Sequence, residues 1–99
     1  MKPTISILGC GWLGLPLAKE LISKGFSVKG SSTSESKINT LEASGIDAFL
    51  IDIGKRNYDI SEFLNSDILI IDIPPPPVDD YRHLTKKIEA SKISYLIFI

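Results

Sequence analysis

The sequence has 99 residues, the size of one domain on a prior of roughly 100–200 residues per domain. Its 11 Lys and Arg against 12 Asp and Glu leave a net charge of −1, without the basic field that nucleic acid or an anionic membrane surface would need. Hydrophobic residues make up 43%, with 7 Gly and 6 Pro, a globular composition and not a disordered or fibrous one. One cysteine cannot close an internal disulfide, and one histidine and one cysteine make no metal cluster, so a cytoplasmic compartment fits best. The aliphatic run Ile68-Leu69-Ile70-Ile71 falls far short of the roughly 18 residues that cross a bilayer.

Strand and helix patterns alternate along the chain. Residues 4–8 are a short apolar run that ends at Gly9, the first expected strand. Residues 13–24 have helical period, with Gly14, Leu17, Ala18 and Leu21 at i, i+3, i+4 and i+7, and Gly25 supplies a left-handed cap. Residues 26–30 alternate as a second strand. Residues 34–44 predict a weaker helix with Ile38 and Leu41 inward, and residues 47–51 a third strand. Asp59-Ile60-Ser61-Glu62 is a capping-box pattern that predicts a short helix with Ile60, Phe63 and Leu64 on one face. Residues 67–73 form the fourth expected strand. Residues 78–91 form a helix with Tyr81, Leu84 and Ile88 on one side, and residues 95–99 a fifth strand. Strands joined by single helices are βαβ units with right-handed crossovers. They predict an α/β fold, a doubly wound parallel sheet of about five strands in the order 3-2-1-4-5. The sequence stops on Ile99, the last apolar residue of a strand, so residues 1–99 are expected to be the N-terminal part of a longer protein. The unfinished sheet edge would then be open to pairing with a second copy in a homodimer.

Gly9-Cys10-Gly11-Trp12-Leu13-Gly14 reads G-x-G-x-x-G between a strand and a helix, the context in which that pattern carries meaning. Gly9 permits the tight turn, Gly11 lets a pyrophosphate approach the backbone, and Gly14 lets the helix pack closely. The N–H groups near Trp12 and Leu13, with the helix dipole, attract phosphate. The expected fold is therefore a Rossmann-like three-layer sandwich that binds a dinucleotide cofactor. Pro16 fits the first helical turn, where its missing N–H costs little. Cys10 reads as a small residue filling the turn, and Trp12 as the cover of a neighbouring loop.

Sites that prefer NAD place Asp or Glu at the end of the second strand, about 20 residues past the glycines, for the ribose 2′-hydroxyl. Here Gly30-Ser31-Ser32-Thr33-Ser34 occupies that place, with no acid before Glu35. The hydroxyls of Ser31, Ser32 and Thr33 and the charge of Lys37 suit a 2′-phosphate, so the expectation leans to NADP over NAD. Ser32, Thr33 and Ser34 read equally as caps of the following helix. Asp52, at the end of the third strand, fits either an adenine contact or a surface loop. Ile73 and Pro74 follow the fourth strand where the cofactor ribose passes. Pro74 to Pro77 reads as a rigid loop bordering a pocket, and Asp72 as its brace. His83 is expected in solvent among Arg82, Lys86 and Lys87.

The run from Ile7 through Gly9-Cys10-Gly11-Trp12-Leu13-Gly14-Leu15-Pro16-Leu17-Ala18, with Gly25-Phe26-Ser27-Val28-Lys29-Gly30-Ser31, resembles the start of atypical extended short-chain dehydrogenases/reductases. These are the NAD-dependent epimerase/dehydratase-like proteins. The resemblance covers the 99 residues and about the first third of such a protein. It implies a catalytic Ser or Thr after the fifth strand and a Tyr-x-x-x-Lys pair, all beyond Ile99. Within the chain, Tyr58, Tyr81 and Tyr95 have Glu62, Thr85 and Ile99 four residues on, so no such pair is present and no catalytic residue is assigned. The expected function is the NAD(P)-binding domain of a short-chain-type oxidoreductase or epimerase of unknown small-molecule substrate. Two alternatives stand beside it: the cofactor domain of a hydroxyacid or 6-phosphogluconate-type dehydrogenase, and a non-catalytic nucleotide-sensing module.

Overall fold

The computed structural model describes residues 2–55 and 58–99. In chain order they form β1 (Thr4–Leu8), α1 (Gly14–Ser23), β2 (Ser27–Ser32), α2 (Glu35–Ala43), β3 (Asp47–Leu50), β4 (Ile68–Ile71), α3 (Val78–Glu89) and β5 (Tyr95–Phe98). Every strand pair is parallel, and the sheet order is β3-β2-β1-β4-β5, as the βαβ pattern predicts. Alternate strand residues point to opposite faces, and each face has its own core. Ile5, Ile7, Val28 and Ile70 pack with Ala18 of α1 and Leu41 of α2. Leu8, Leu69 and Ile71 pack on the other face with Phe63 and with Leu84 of α3. Burial on both faces explains why β1 and β4 read as nearly continuous apolar runs.

α1 ends as expected. Gly25 has φ +92°, its N–H donates to the Ile22 carbonyl at 2.9 Å, and the Phe26 N–H donates to the Leu21 carbonyl at 3.1 Å. This paired closure satisfies two carbonyls that the helix end would otherwise leave open. β2 runs two residues further than expected, because Ser31 and Ser32 pair with Phe49 and Leu50 of β3. β4 is shorter than expected. The Asp72 N–H still donates to the Leu8 carbonyl at 2.9 Å, but the chain turns away at Gly9 and offers no further partner.

The short helix expected after Asp59 is a single turn. Its start is held by Asp59, whose Oδ1 accepts the Ser61 N–H and hydroxyl at 3.1 and 2.8 Å, while the Glu62 carboxylate of the expected box lies 3.6 Å from the Lys29 ammonium. The Leu64 N–H donates to the Ile60 carbonyl at 2.9 Å, and helix growth stops there. The carbonyls that further turns would use are taken by side chains from the sheet. The Ser6 hydroxyl donates to the Phe63 carbonyl at 2.6 Å, and the Lys29 ammonium donates to the carbonyls of Glu62 and Asn65 at 2.8 and 2.9 Å. Ile60, Phe63 and Leu64 are nonetheless buried together, so the apolar face survives without the helix. Replacing Lys29 by Met removes both bonds while keeping the aliphatic stem. Urea unfolding of Lys29→Met is expected to show a loss of about 1–3 kcal/mol, because charged donors contribute more than neutral ones. An unchanged midpoint would mean that the turn holds without this lysine.

His83 is not in solvent as expected. It is half-buried, edge-on to Tyr58 with ring centres 5.6 Å apart, while the Lys87 ammonium lies 5.4 Å from the same Tyr58 ring centre. The charged neighbours read from sequence lie along the helix, whereas the imidazole faces the crossover on which α3 packs.

Candidate dinucleotide site

The site begins where β1 meets α1. At φ +96°, Gly9 adopts a backbone that other residues rarely take, and a Cβ there would overlap the Asp72 carbonyl and lie 2.7 Å from Ile73 Cγ2. Two bonds from β2 fix the turn: the Gly9 N–H donates to Ser31 Oγ at 2.9 Å, and the Cys10 N–H donates to the Ser31 carbonyl at 2.8 Å. Ser31 is buried, and its hydroxyl is turned to the loop from below. Sequence alone put this hydroxyl beside a phosphate; its direct partner here is Gly9. Gly14 lies under the loop, where a Cβ would sit 2.5 Å from the Gly9 carbonyl and 3.1 Å from Asp72 Oδ2.

Gly11 differs from both. No heavy atom lies within 4 Å of a Cβ built on it. Packing therefore does not require glycine at this position, and the space before it is open to a ligand. Among the described residues, no side-chain hydrogen bond caps α1 at Leu13. The Leu15 and Leu17 N–H groups already donate to the Gly11 and Leu13 carbonyls at 3.2 Å and Pro16 has none, so the groups suited to a phosphate oxygen are the N–H groups from Gly11 to Gly14, at the positive end of the helix dipole. The residues present fit a pyrophosphate.

Beside the loop, a cleft of about 270 Å³ runs along the carboxyl ends of the strands and brings together Gly9, Ser31, Ser32, Thr33, Asp52, Ile73 and Pro74. Asp52 Oδ1 accepts the Gly54 N–H at 3.0 Å, so one carboxylate oxygen braces its own loop. Ser32 Oγ accepts the Ser34 N–H at 3.1 Å, and the Ser34 hydroxyl pairs with that of Ser36 at 2.8 Å. The expected serine cap of α2 is absent: Ser34 occupies the N-cap position without a side-chain bond to the helix backbone. A second cavity of about 230 Å³ joins Gly11 to Lys37 across Cys10 and Thr40. Trp12 covers no neighbouring loop; it is 97% exposed, and Leu13 beside it is exposed too.

Sequence reading missed Ile51 and Ile53, which supply apolar wall to the cleft, and Gly30. Their position at a carboxyl strand end was the available signal. A Cβ at Gly30 would lie 2.5 Å from Cys10 Sγ and 2.8 Å from Ile46 Cγ2, so this glycine makes room for the buried cysteine. Burial pushes the Cys10 thiol up to about 11, outweighing a backbone hydrogen bond from Ser31. The thiol is a filler, as read from sequence. Folded protein at pH 8 is expected to resist iodoacetamide, while urea-unfolded protein is alkylated readily. An unfolded cysteine ionises first as pH rises, so stability is expected to fall between pH 9 and 11. Rapid alkylation of the folded protein would overturn this assignment.

A parallel sheet in this order, with a glycine turn and an uncapped helix at its switch point, defines a dinucleotide-binding domain of the doubly wound class. The chain belongs to the family of the NAD binding domain of 6-phosphogluconate dehydrogenase, whose model matches residues 4–76. It is 34% identical, over an alignment 106 positions long, to "Protein YeeZ" of Escherichia coli strain K12, covering 95% of this chain and 39% of that protein. The fold is also that of yeast methylglyoxal/isovaleraldehyde reductase Gre2 complexed with NADPH, with TM-score 0.78 and 18% identity over 96% of this chain and 36% of that one. Mycobacterium tuberculosis 3-hydroxyisobutyrate dehydrogenase gives TM-score 0.62 and 19% identity over 99% of this chain and 39% of that one. The resemblance drawn from the motifs named a different branch from the family matched; both branches share the NAD(P)-binding sheet. No helix among the described residues is long and apolar enough to cross a membrane.

Proposed function

We propose that the chain is the cofactor-binding portion of a longer NADP-preferring oxidoreductase whose catalytic groups lie outside these 99 residues. The observation that carries this reading is the cavity in which Gly11 meets Lys37, beside a β2 end that offers Ser32 and Thr33 and no carboxylate. A 2′-phosphate placed there gains a cation, and the acid that lines the neighbouring cleft, Asp52, has one carboxylate oxygen on the Gly54 N–H. Gly11, Trp12, Leu13 and Gly14 take the pyrophosphate through backbone N–H groups, and Gly9, whose N–H is held by Ser31 Oγ, builds the turn beneath it. Ser31 holds the turn. Asp52, Ile73 and Pro74 border the adenosine. When bound, the nicotinamide supplies hydride chemistry. The short-chain reductase reading rests on the motif resemblance. The 6-phosphogluconate type is the second reading, favoured by the matched family. Both use this cofactor site.

Trp12 is the sequence's one tryptophan and adjoins the cradle, so its fluorescence reports binding directly. NADPH is expected to quench it at lower concentration than NADH. Lys37→Ala is expected to weaken NADPH about tenfold or more and leave NADH unchanged, the loss typical of a charged hydrogen bond. Gly11→Val fills the open space, so it is expected to abolish both titrations while the circular dichroism stays native. Equal affinity for both cofactors in wild type and Lys37→Ala would overturn the NADP preference. Undiminished binding by Gly11→Val would overturn the site.

A further inference from the structure

The carboxyl end of β4 brings an acid to the start of α1. Ile7 and Leu8 of β1 pair with Ile70 and Ile71 of β4, and the Asp72 N–H continues that ladder by donating to the Leu8 carbonyl at 2.9 Å. Side chains alternate along a strand. Ile70 belongs to the core that holds Ala18 of α1, Ile71 to the opposite core with Leu84 of α3, and Asp72 returns to the α1 side. Its Oδ2 lies 3.1 Å from a Cβ built on Gly14, the first residue of α1. Glycine at that position therefore admits a carboxylate as well as the Gly9 carbonyl.

Asp72 is half-buried, and no ion pair among the described residues engages it. Its charge is felt in the loop: the Cys10 thiol, pushed up chiefly by burial, is pushed up further by Asp72. α1 has no acid in its own first turn and no side-chain cap. β4 thus supplies what many helices carry in their first turn, a negative charge at the positive end of the dipole. The same helix start offers the N–H groups from Gly11 to Gly14 to a pyrophosphate. Gly14 is where the two meet, so a resident anion and an arriving one address a single helix end. In a half-buried setting their repulsion is screened less than in open water.

We propose that Asp72 is the resident anion of the cofactor cradle: it holds the start of α1 in the empty protein and repels the pyrophosphate in the bound one, so that the dinucleotide exchanges readily. Asp72 is a positioning residue here, and its role rests on the dinucleotide reading above. The test compares wild type with Asp72→Asn and Asp72→Ala, two variants that remove the charge and share no new hydrogen bond. NADPH is titrated by Trp12 fluorescence, adenosine serves as the phosphate-free control, and the empty proteins are melted. Both variants are expected to bind NADPH about five- to tenfold more tightly. Most of that gain is expected in slower release, seen by stopped-flow displacement. Adenosine affinity is expected to stay unchanged. The empty variants are expected to melt about 2–6 °C below wild type, because the helix start loses its counter-charge. General damage to the fold would lower stability and affinity together, whereas a resident anion moves them in opposite directions.

Unchanged or weaker NADPH binding in both variants, beside a wild type that binds, overturns the proposal and spares the cofactor reading. A gain in Asp72→Asn alone overturns it too, since a new amide bond to phosphate would account for that. An equal gain for adenosine points to a reshaped cleft and overturns it likewise. Empty variants that melt at or above wild type overturn the role at the helix start. No NADPH binding by wild type or by either variant overturns the cofactor reading and this proposal together.

Discussion

Gly9→Ala is expected to be the most damaging single-methyl change in the loop, costing about 2–6 kcal/mol as forced left-handed backbone adds to overpacking. At φ +96° an alanine is strained in any surroundings, and here its Cβ would also overlap the Asp72 carbonyl, a backbone atom that no rotamer change can move. Relief requires β1 and β4 to part where Asp72 N–H meets the Leu8 carbonyl, so the strain spreads into the sheet. Domains of this size are stable by roughly 5–15 kcal/mol, so much of that reserve is lost. Each kcal/mol shifts the melting temperature of a domain of this size by about 4–8 °C. Gly11→Ala, two residues on, meets nothing and is expected to change stability by less than about 0.5 kcal/mol. Thermal melts of the two variants side by side decide the matter. A Gly9→Ala protein that melts with wild type would show that the loop relaxes freely. The contrast also separates roles: Gly9 builds the turn, and Gly11 leaves space for the ligand.

Phe63→Ala is expected to cost about 3–5 kcal/mol, the range for a buried aromatic. Phe63 is 0% exposed and meets Phe49 edge-on, with ring centres 5.5 Å apart. It sits in the single turn between β3 and β4, and its carbonyl accepts from Ser6 while Ser6 and Ser66 share a hydrogen bond at 2.6 Å. This segment has no helix to hold it, so the ring and the serine pair anchor it to the sheet. Losing the ring leaves a cavity beneath an irregular stretch of chain, which hydrogen exchange is expected to report as faster exchange at residues 60–66 before the rest. Denaturant unfolding measures the size of the loss. A loss under about 1 kcal/mol would mean that Leu64 and Ile60 close the gap by themselves.

Much of the molecule is legible in the residue pattern because its signals are local. Gly25 after a periodic helix fixes a left-handed cap. Three glycines spaced between a strand and a helix mark a tight turn with close packing beneath it. Strands alternating with helices mark a parallel doubly wound sheet, and the glycine turn after the first strand favours the order 3-2-1-4-5. Gly9 and Gly14 do what their spacing implies, against the Asp72 end of β4.

What the tertiary structure decided is where competing partners settle. A serine after a strand reads equally as ligand contact or brace, and only the approach of β1 to β2 puts the Gly9 N–H on Ser31 Oγ. A capping box starts a helix wherever it stands, but Lys29 and Ser6 come from strands far away in sequence and take the carbonyls that would have extended it. His83 lies among charges along the chain and against Tyr58 in space. The sequence by itself determined the five strands, the three longer helices, their order and the glycine turn, because propensity, period and glycine chemistry act over a few residues. Tertiary structure decided which hydroxyl faces a ligand and where a helix stops, because those outcomes depend on partners that only the folded sheet brings within hydrogen-bonding distance.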